Sequence, residues 1–283
     1  MATTPRITRR SLFPALIGLG LPDGVVAQAG ASWRPGLQLY TVRDLLGADL
    51  NGTLRNVAEI GYQEVELPGF ADARVHVIEE RLKHYKLQVP SIHASYARLR
   101  GDLDAVLKEA RALGAAFLVC PWIDLDDRRT ADDWKSVCQT LSKIGRAARG
   151  HGLTLAYHNH DFEFVPFAAG ATPFDLMMRE IDPDDVKVEL DVYWAAKAGL
   201  DPVRCLKEYG GRILLVHLKD MAADGSITEL GAGVLAIEQI VRTALSADAK
   251  HLFVEQDDPP DPLRSISASL RFLKRLPPDV RPG

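Results

Sequence analysis

Short apolar runs alternate with longer amphipathic segments from Gly36 to Leu276, and this rhythm limits the possible folds more than any composition does. Eight runs have the length and β-branched content of buried strands: "LQLYTV" (37–42), "EVELP" (64–68), "VPSIHAS" (89–95), "AFLVCPW" (116–122), "LTLAYHNH" (153–160), "VKVELDVYW" (186–194), "ILLVHLKD" (213–220) and "LFVEQD" (252–257). Helical patterns lie between them, for example 103–114 and 134–152, the second closed by glycines as a helix stop requires. Strands separated by helices run parallel, because the crossover returns the chain to the same end of the sheet. Eight such units predict a (β/α)8 barrel, a single α/β domain over residues 36–276. No linker, low-complexity tract or second composition regime interrupts it. A hydrophobic content of 47% is ample for a core without covalent staples.

The first thirty residues follow another logic. Arg9 and Arg10 precede a short apolar stretch that ends in Ala27-Gln28-Ala29, the order of a secretory signal with a twin-arginine start. Pro14, Pro22 and several glycines break the stretch, which argues against a spanning helix. Residues 1–29 are therefore expected to be a cleaved signal, with the protein exported to the periplasm and no membrane attachment afterwards. The whole chain carries a formal charge of −4; losing residues 1–29 removes three basic side chains and one acidic one and leaves −6. That balance excludes a general nucleic-acid footprint. Cys120, Cys138 and Cys205 do not make a disulfide framework and read as small buried hydrophobes.

In a barrel of this kind the site is built at the C-terminal ends of the strands. Polar residues gather there: Glu66, His93, His158 and His160, Asp191, His217 and Lys219, and Glu255 with Asp257. Alternation places His217 on the face of Leu215, Glu255 on that of Phe253, and Asp191 on that of Glu189. His158, Asp191, His217 and Glu255 offer two imidazoles and two carboxylates, a mixed shell suited to one divalent ion (Mn2+, Zn2+, Co2+ or Fe2+). A charge-paired network without metal is the alternative at this point. Trp122 and Trp194, at strand ends, are candidates to stack on the apolar face of a sugar.

These motifs ("GYQEVEL" at 61–67, "SIHASY" at 91–96, "YHNHDFEF" at 157–164, "ELDVYWAAKAGLDP" at 189–202, "VHLKDM" at 216–221 and "LFVEQDDP" at 252–259) resemble the xylose-isomerase-like TIM-barrel superfamily, in its sugar phosphate isomerase/epimerase branch. The resemblance implies a metal-dependent isomerase or epimerase that acts on a keto-sugar through an enediolate, with Asp191, His217 and Glu255 as metal ligands. It also implies a glutamate as the first ligand, after strand five. Here "HNH" replaces the usual "ENH", so His158 stands in that place and Glu255 is left as the only member of a proton-moving carboxylate pair. Glu163, three residues beyond His160, is the alternative source of the missing carboxylate. The His-rich fifth strand and the "HLKD" of the seventh also resemble inosose dehydratase, which implies a dehydratase or 3-keto-glycoside lyase as the second reading.

The mechanism expected from these residues has Glu255 moving a proton next to a carbonyl, with His93, Lys219 and Glu66 as acid and orienting partners. His160, Trp122, Trp194 and Glu163 are the expected substrate contacts. The partner is a small-molecule carbohydrate, and export favours a free keto-sugar or keto-glycoside over a sugar phosphate. A non-catalytic sugar-binding barrel is the reading from another class. Barrels of this type often form homo-oligomers, but no feature of the chain fixes a symmetry.

Overall fold

The computed structural model describes residues 33–69, 75–167 and 170–282. The expected signal segment, residues 1–29, lies outside them. Eight parallel strands close into a barrel: β1 (Gly36–Gln38), β2 (Glu64–Leu67), β3 (Gln88–His93), β4 (Phe117–Cys120), β5 (Thr154–His158), β6 (Val186–Asp191), β7 (Ile213–Leu218) and β10 (His251–Val254). A small antiparallel hairpin, β8 (Asp220–Met221) with β9 (Ile227–Thr228), rises from the loop after β7. Each barrel strand lies beside its neighbours in sequence order, and β1 closes the ring against β2 and β10.

Two layers of apolar side chains hold the ring. Phe117, Val119, Ala156, Leu215 and Phe253 fill its interior below the C-terminal ends. Gly36 is needed there, because a Cβ on it would stand 2.5 Å from the Phe253 ring. Outside, amphipathic helices cover the strands. The helix Ala131–Gly150 buries Trp134, Val137, Cys138, Leu141, Ile144, Gly145 and Ala148, the three-and-four spacing of one face. Its start is fixed by Thr130 and Asp133, each side chain accepting the other's backbone N–H. Trp33, Trp134 and the three free cysteines are buried. Among the described residues no helix is long and apolar enough to cross a membrane.

Several strands stop before the apolar runs do. The 37–42 run turns into a 3-10 helix at Leu39, and the 186–194 run ends at Asp191, whose side chain caps the helix Val192–Lys197. Trp194 therefore sits in the first turn of a helix, not at a strand end. In the loop after β9 the helix Ile237–Ser246 is preceded by a glycine-rich segment in which Asp220 accepts the N–H groups of Gly231 (2.9 Å), Gly233 (3.1 Å) and Leu235 (3.1 Å). One carboxylate thus holds the glycine-rich segment as a loop.

Candidate active site

The barrel mouth holds a cavity of about 360 Å³, lined by His93, Trp122, His158, His160, Lys219, Glu255 and Asp257 together with Tyr40. Directly beneath it, and fully buried, lie Glu66, Glu189, Asp191 and His217. Register explains the convergence: Asp191 pairs with His217, His158 with Glu189, and Gln38 with Glu66. Inward residues one strand apart thus become neighbours at one level of the ring.

Asp191 divides its two oxygens. Oδ1 accepts the N–H of Trp194 (2.9 Å) as a helix cap, whereas Oδ2 is buried and accepts no hydrogen bond from the described residues. The Lys219 ammonium lies 3.0 Å from that Oδ2 without hydrogen-bond alignment, 2.8 Å from Glu255 Oε2, and donates to Asp257 Oδ1 at 2.7 Å. Asp191, His217 and Glu255 present ligand atoms within 4.8 Å of one another, a spacing that one ion could bridge. His158 lies outside that set, although its Nε2 is 3.9 Å from Asp191 Oδ2. By distance His158 belongs to a deeper set with His93, Glu189 and His217, so the four expected ligands fall into two sets that share His217. Glu189 was not among the expected site residues.

The imidazoles below the mouth are wedged among carboxylates. His217 meets Glu255 Oε2 through Nδ1 (2.7 Å) and Glu66 Oε2 through Nε2 (2.6 Å). His93 Nε2 lies 3.1 Å from Glu66 Oε2 and 2.9 Å from Glu189 Oε2. Burial works against charge on His93, but Glu66 and Glu189 outweigh it and raise its pKa to about 9. The same opposition lifts His217 well above the usual histidine value. Burial likewise resists the charges of Glu66 and Glu255, yet the surrounding cations hold both well below the usual carboxylate range. Asp191 is pushed up to about 6, chiefly by burial. His158 is the exception among these buried imidazoles. Burial holds it well below the usual value, so it is neutral, with Nδ1 3.1 Å from Glu189 Oε2. His160 is lowered to about 3 by burial and by Lys219.

One wall of the mouth is aromatic. Trp122 packs edge-to-face on His160 (4.8 Å) and Phe162 (4.9 Å), and His160 lies 5.4 Å from Trp194. Glu163, expected to face substrate or to replace the missing ligand, does neither. It is fully buried behind β5, where its Oε1 accepts from the Tyr157 hydroxyl (2.6 Å) and its Oε2 from the His160 N–H (2.7 Å). The chain turns into a 3-10 helix at Phe162–Phe164 directly after the strand, which carries this carboxylate out of the mouth.

The family model described as a xylose isomerase-like TIM barrel matches residues 54–276. The chain belongs to this family. Among characterised relatives, the inosose dehydratase of Mesomycoplasma hyopneumoniae (strain 7448) is 26% identical over 229 residues, covering 73% of this chain and 75% of its own length. The inosose dehydratase of Geobacillus kaustophilus is 27% identical over 193 residues, 60% of this chain and 62% of the relative. A sugar phosphate isomerase/epimerase from Parabacteroides distasonis superposes with a TM-score of 0.77 at 24% identity, over 88% of this chain and 100% of that one. A probable 3-DHS dehydratase from Bacillus anthracis superposes with a TM-score of 0.70 at 14% identity, over 86% and 99%. At these identities the structural likenesses show the shared barrel. The expected family and the expected (β/α)8 fold are both found.

Proposed function

We propose that this protein is a divalent-metal-dependent enzyme that removes a proton beside the carbonyl of a keto-sugar or keto-polyol and expels an oxygen substituent from the next carbon. The donor set fits one ion. Among the described residues Asp191 Oδ2 is a buried oxygen without a hydrogen bond, it lies with His217 and Glu255 at a spacing one ion could bridge, and the neutral His158 has its Nε2 3.9 Å away. Charge points the same way. Glu66, Glu189, Asp191 and Glu255 are buried carboxylates, against which Lys219 and a protonated His93 supply two positive charges. One divalent ion, with His217 neutral as a ligand, balances the remainder.

Bound by His158, Asp191, His217 and Glu255, such an ion would act as a Lewis acid for negative charge developing on substrate oxygens. The chain does the rest. Glu255 lines the cavity as an ionised carboxylate and takes the proton from carbon. His93 donates its proton to the departing oxygen, and its charge is maintained by Glu66 and Glu189 beneath it. Lys219, charged and fixed by Asp257 and Glu255, orients a substrate oxygen. Trp122 and His160 cover the apolar face of the ring.

The observation that favours elimination over epimerisation is that Glu255 is the one carboxylate lining the cavity that also belongs to the candidate ligand set, beside two cationic acids, while a neutral imidazole stands in the place of a second base. The inosose dehydratase relatives support the same reading. The test is incubation of metal-loaded protein with a 2-keto-inositol and with 3-keto-glucosides in D2O. The expected result is an unsaturated ketone lighter by water or by the aglycone alcohol. A deuterated epimer without mass loss would instead support the epimerase reading. Absence of both turnover and a bound ion would support a non-catalytic barrel.

A further inference from the structure

Resting on the metal-site reading above, we infer that Glu189 is the positioning residue that makes a histidine work as a metal ligand at position 158. An imidazole binds a metal through an unprotonated nitrogen, and the hydrogen bond made by its other nitrogen decides which one that is. Register places Glu189 beside His158 across the β5–β6 pair, and its Oε2 lies 3.1 Å from His158 Nδ1. His93 Nε2 also serves this oxygen, at 2.9 Å, but an unprotonated Nδ1 at 3.1 Å would set its lone pair against the carboxylate, so the His158 proton sits on Nδ1. The lone pair of Nε2 is then directed at the mouth, on the side of Asp191 Oδ2. Glu189 has no solvent to satisfy it, and its Oε1 has no hydrogen-bond partner among the described residues.

The second ligand imidazole is supported in the same way. Glu66 Oε2 lies 2.6 Å from His217 Nε2, which leaves Nδ1 facing Glu255. His93 sits between the two supporting carboxylates and ties them together. Glu189 therefore accounts for the departure at strand five. A glutamate at position 158 would set two carboxylates side by side in a buried layer, where like charges repel strongly. A neutral imidazole in that position needs an acceptor behind it, and Glu189 provides one. Residues 158 and 189 are thus expected to be tolerated only as a matched pair.

The arrangement competes with one other, in which His93, His158, Glu189 and His217 themselves hold the ion one level deeper. The two differ in what Asp191 does. In the mouth reading Asp191→Ala abolishes the ion and Glu189→Gln only weakens it; in the deeper reading the ion survives Asp191→Ala and is lost in Glu189→Ala.

The experiment measures zinc and manganese content and affinity by chelator competition on the full chain, with thermal unfolding of the metal-free proteins as a folding control. Glu189→Gln is nearly isosteric and carries the test should Glu189→Ala fail to fold. Wild type is expected to bind one ion. Glu189→Gln is expected to keep that stoichiometry with affinity lowered about 10- to 100-fold. His158→Ala/Glu189→Gln is expected to bind no more weakly than His158→Ala alone. His158→Glu is expected to lose the ion, and His158→Glu/Glu189→Gln to recover it. Unchanged affinity in Glu189→Gln, additive losses in the double variant, or an ion that survives Asp191→Ala each overturns the inference. A wild-type protein without any ion refutes the functional reading itself, a separate result.

Discussion

Glu163 gives the sharpest quantitative test, because its burial makes a prediction independent of any metal. Its carboxyl lies behind β5, and burial, opposed by hydrogen bonds from Tyr157 and the His160 N–H, raises its pKa from the ordinary 4.5 to about 7. Between those values the folded state holds the proton and the unfolded chain does not. Stability contributed by the protonated form is therefore complete below pH 4.5 and is lost as pH rises to about 7. At about 1.4 kcal/mol per pH unit the loss over that interval is on the order of 3 kcal/mol.

Glu163→Gln keeps the shape of the protonated acid. Its carbonyl oxygen can accept from His160 N–H and its amide can donate to the Tyr157 oxygen. The variant should therefore gain on wild type as pH rises from 4.5 to 7 and hold that gain at pH 8. For a domain of this size the gain corresponds to roughly 6–12 °C in midpoint. Thermal unfolding of the two metal-free proteins at pH 5, 6, 7 and 8 checks this, since shifts from all other groups cancel in the difference. Parallel midpoints across that range would refute the reasoning. They would return Glu163 to the pool of ionised carboxylates available to the site.

Two further perturbations probe the fold and the mouth. Gly36→Ala should cost about 1–3 kcal/mol, measured by chemical denaturation, because its Cβ would stand 2.5 Å from Phe253 inside the closed ring; an unchanged midpoint would mean the barrel interior yields more easily than its packing indicates. Trp122 is 41% exposed yet lines the cavity beside His158 and Glu255, so Trp122→Ala should leave stability within about 0.5 kcal/mol and raise KM several-fold with little change in kcat. A fall in kcat at constant KM would show that the ring acts on the reacting atoms and not on substrate binding.

What could be read from the sequence follows from what period and position encode. The barrel was legible because each strand is a short apolar run with a helical pattern after it. The polar tips stand out because His93, His158, Asp191 and His217 lie within three residues of the ends of those runs. Glu189 shares the face of Asp191, yet its sequence position does not mark it as part of the site. Within one strand nothing distinguishes an inward carboxylate that supports a histidine from a solvated one. The distinction depends on which strand lies beside it and in what register, and only ring closure sets His158 against Glu189. Glu163 leaves the mouth for the converse reason: a 3-10 turn begins within three residues of His160, so spacing along the sequence no longer measures direction. Asp191 shows how both limits meet in one side chain. Read as a strand tip it is a ligand candidate, and read as the residue before "VYW" it is a helix cap. The structure gives it both positions, with Oδ1 held by the Trp194 N–H and Oδ2 left buried without a hydrogen bond from the described residues. The cap fixes the carboxylate's orientation before any ligand arrives, so the local rule that ends the strand also aims the oxygen at the mouth.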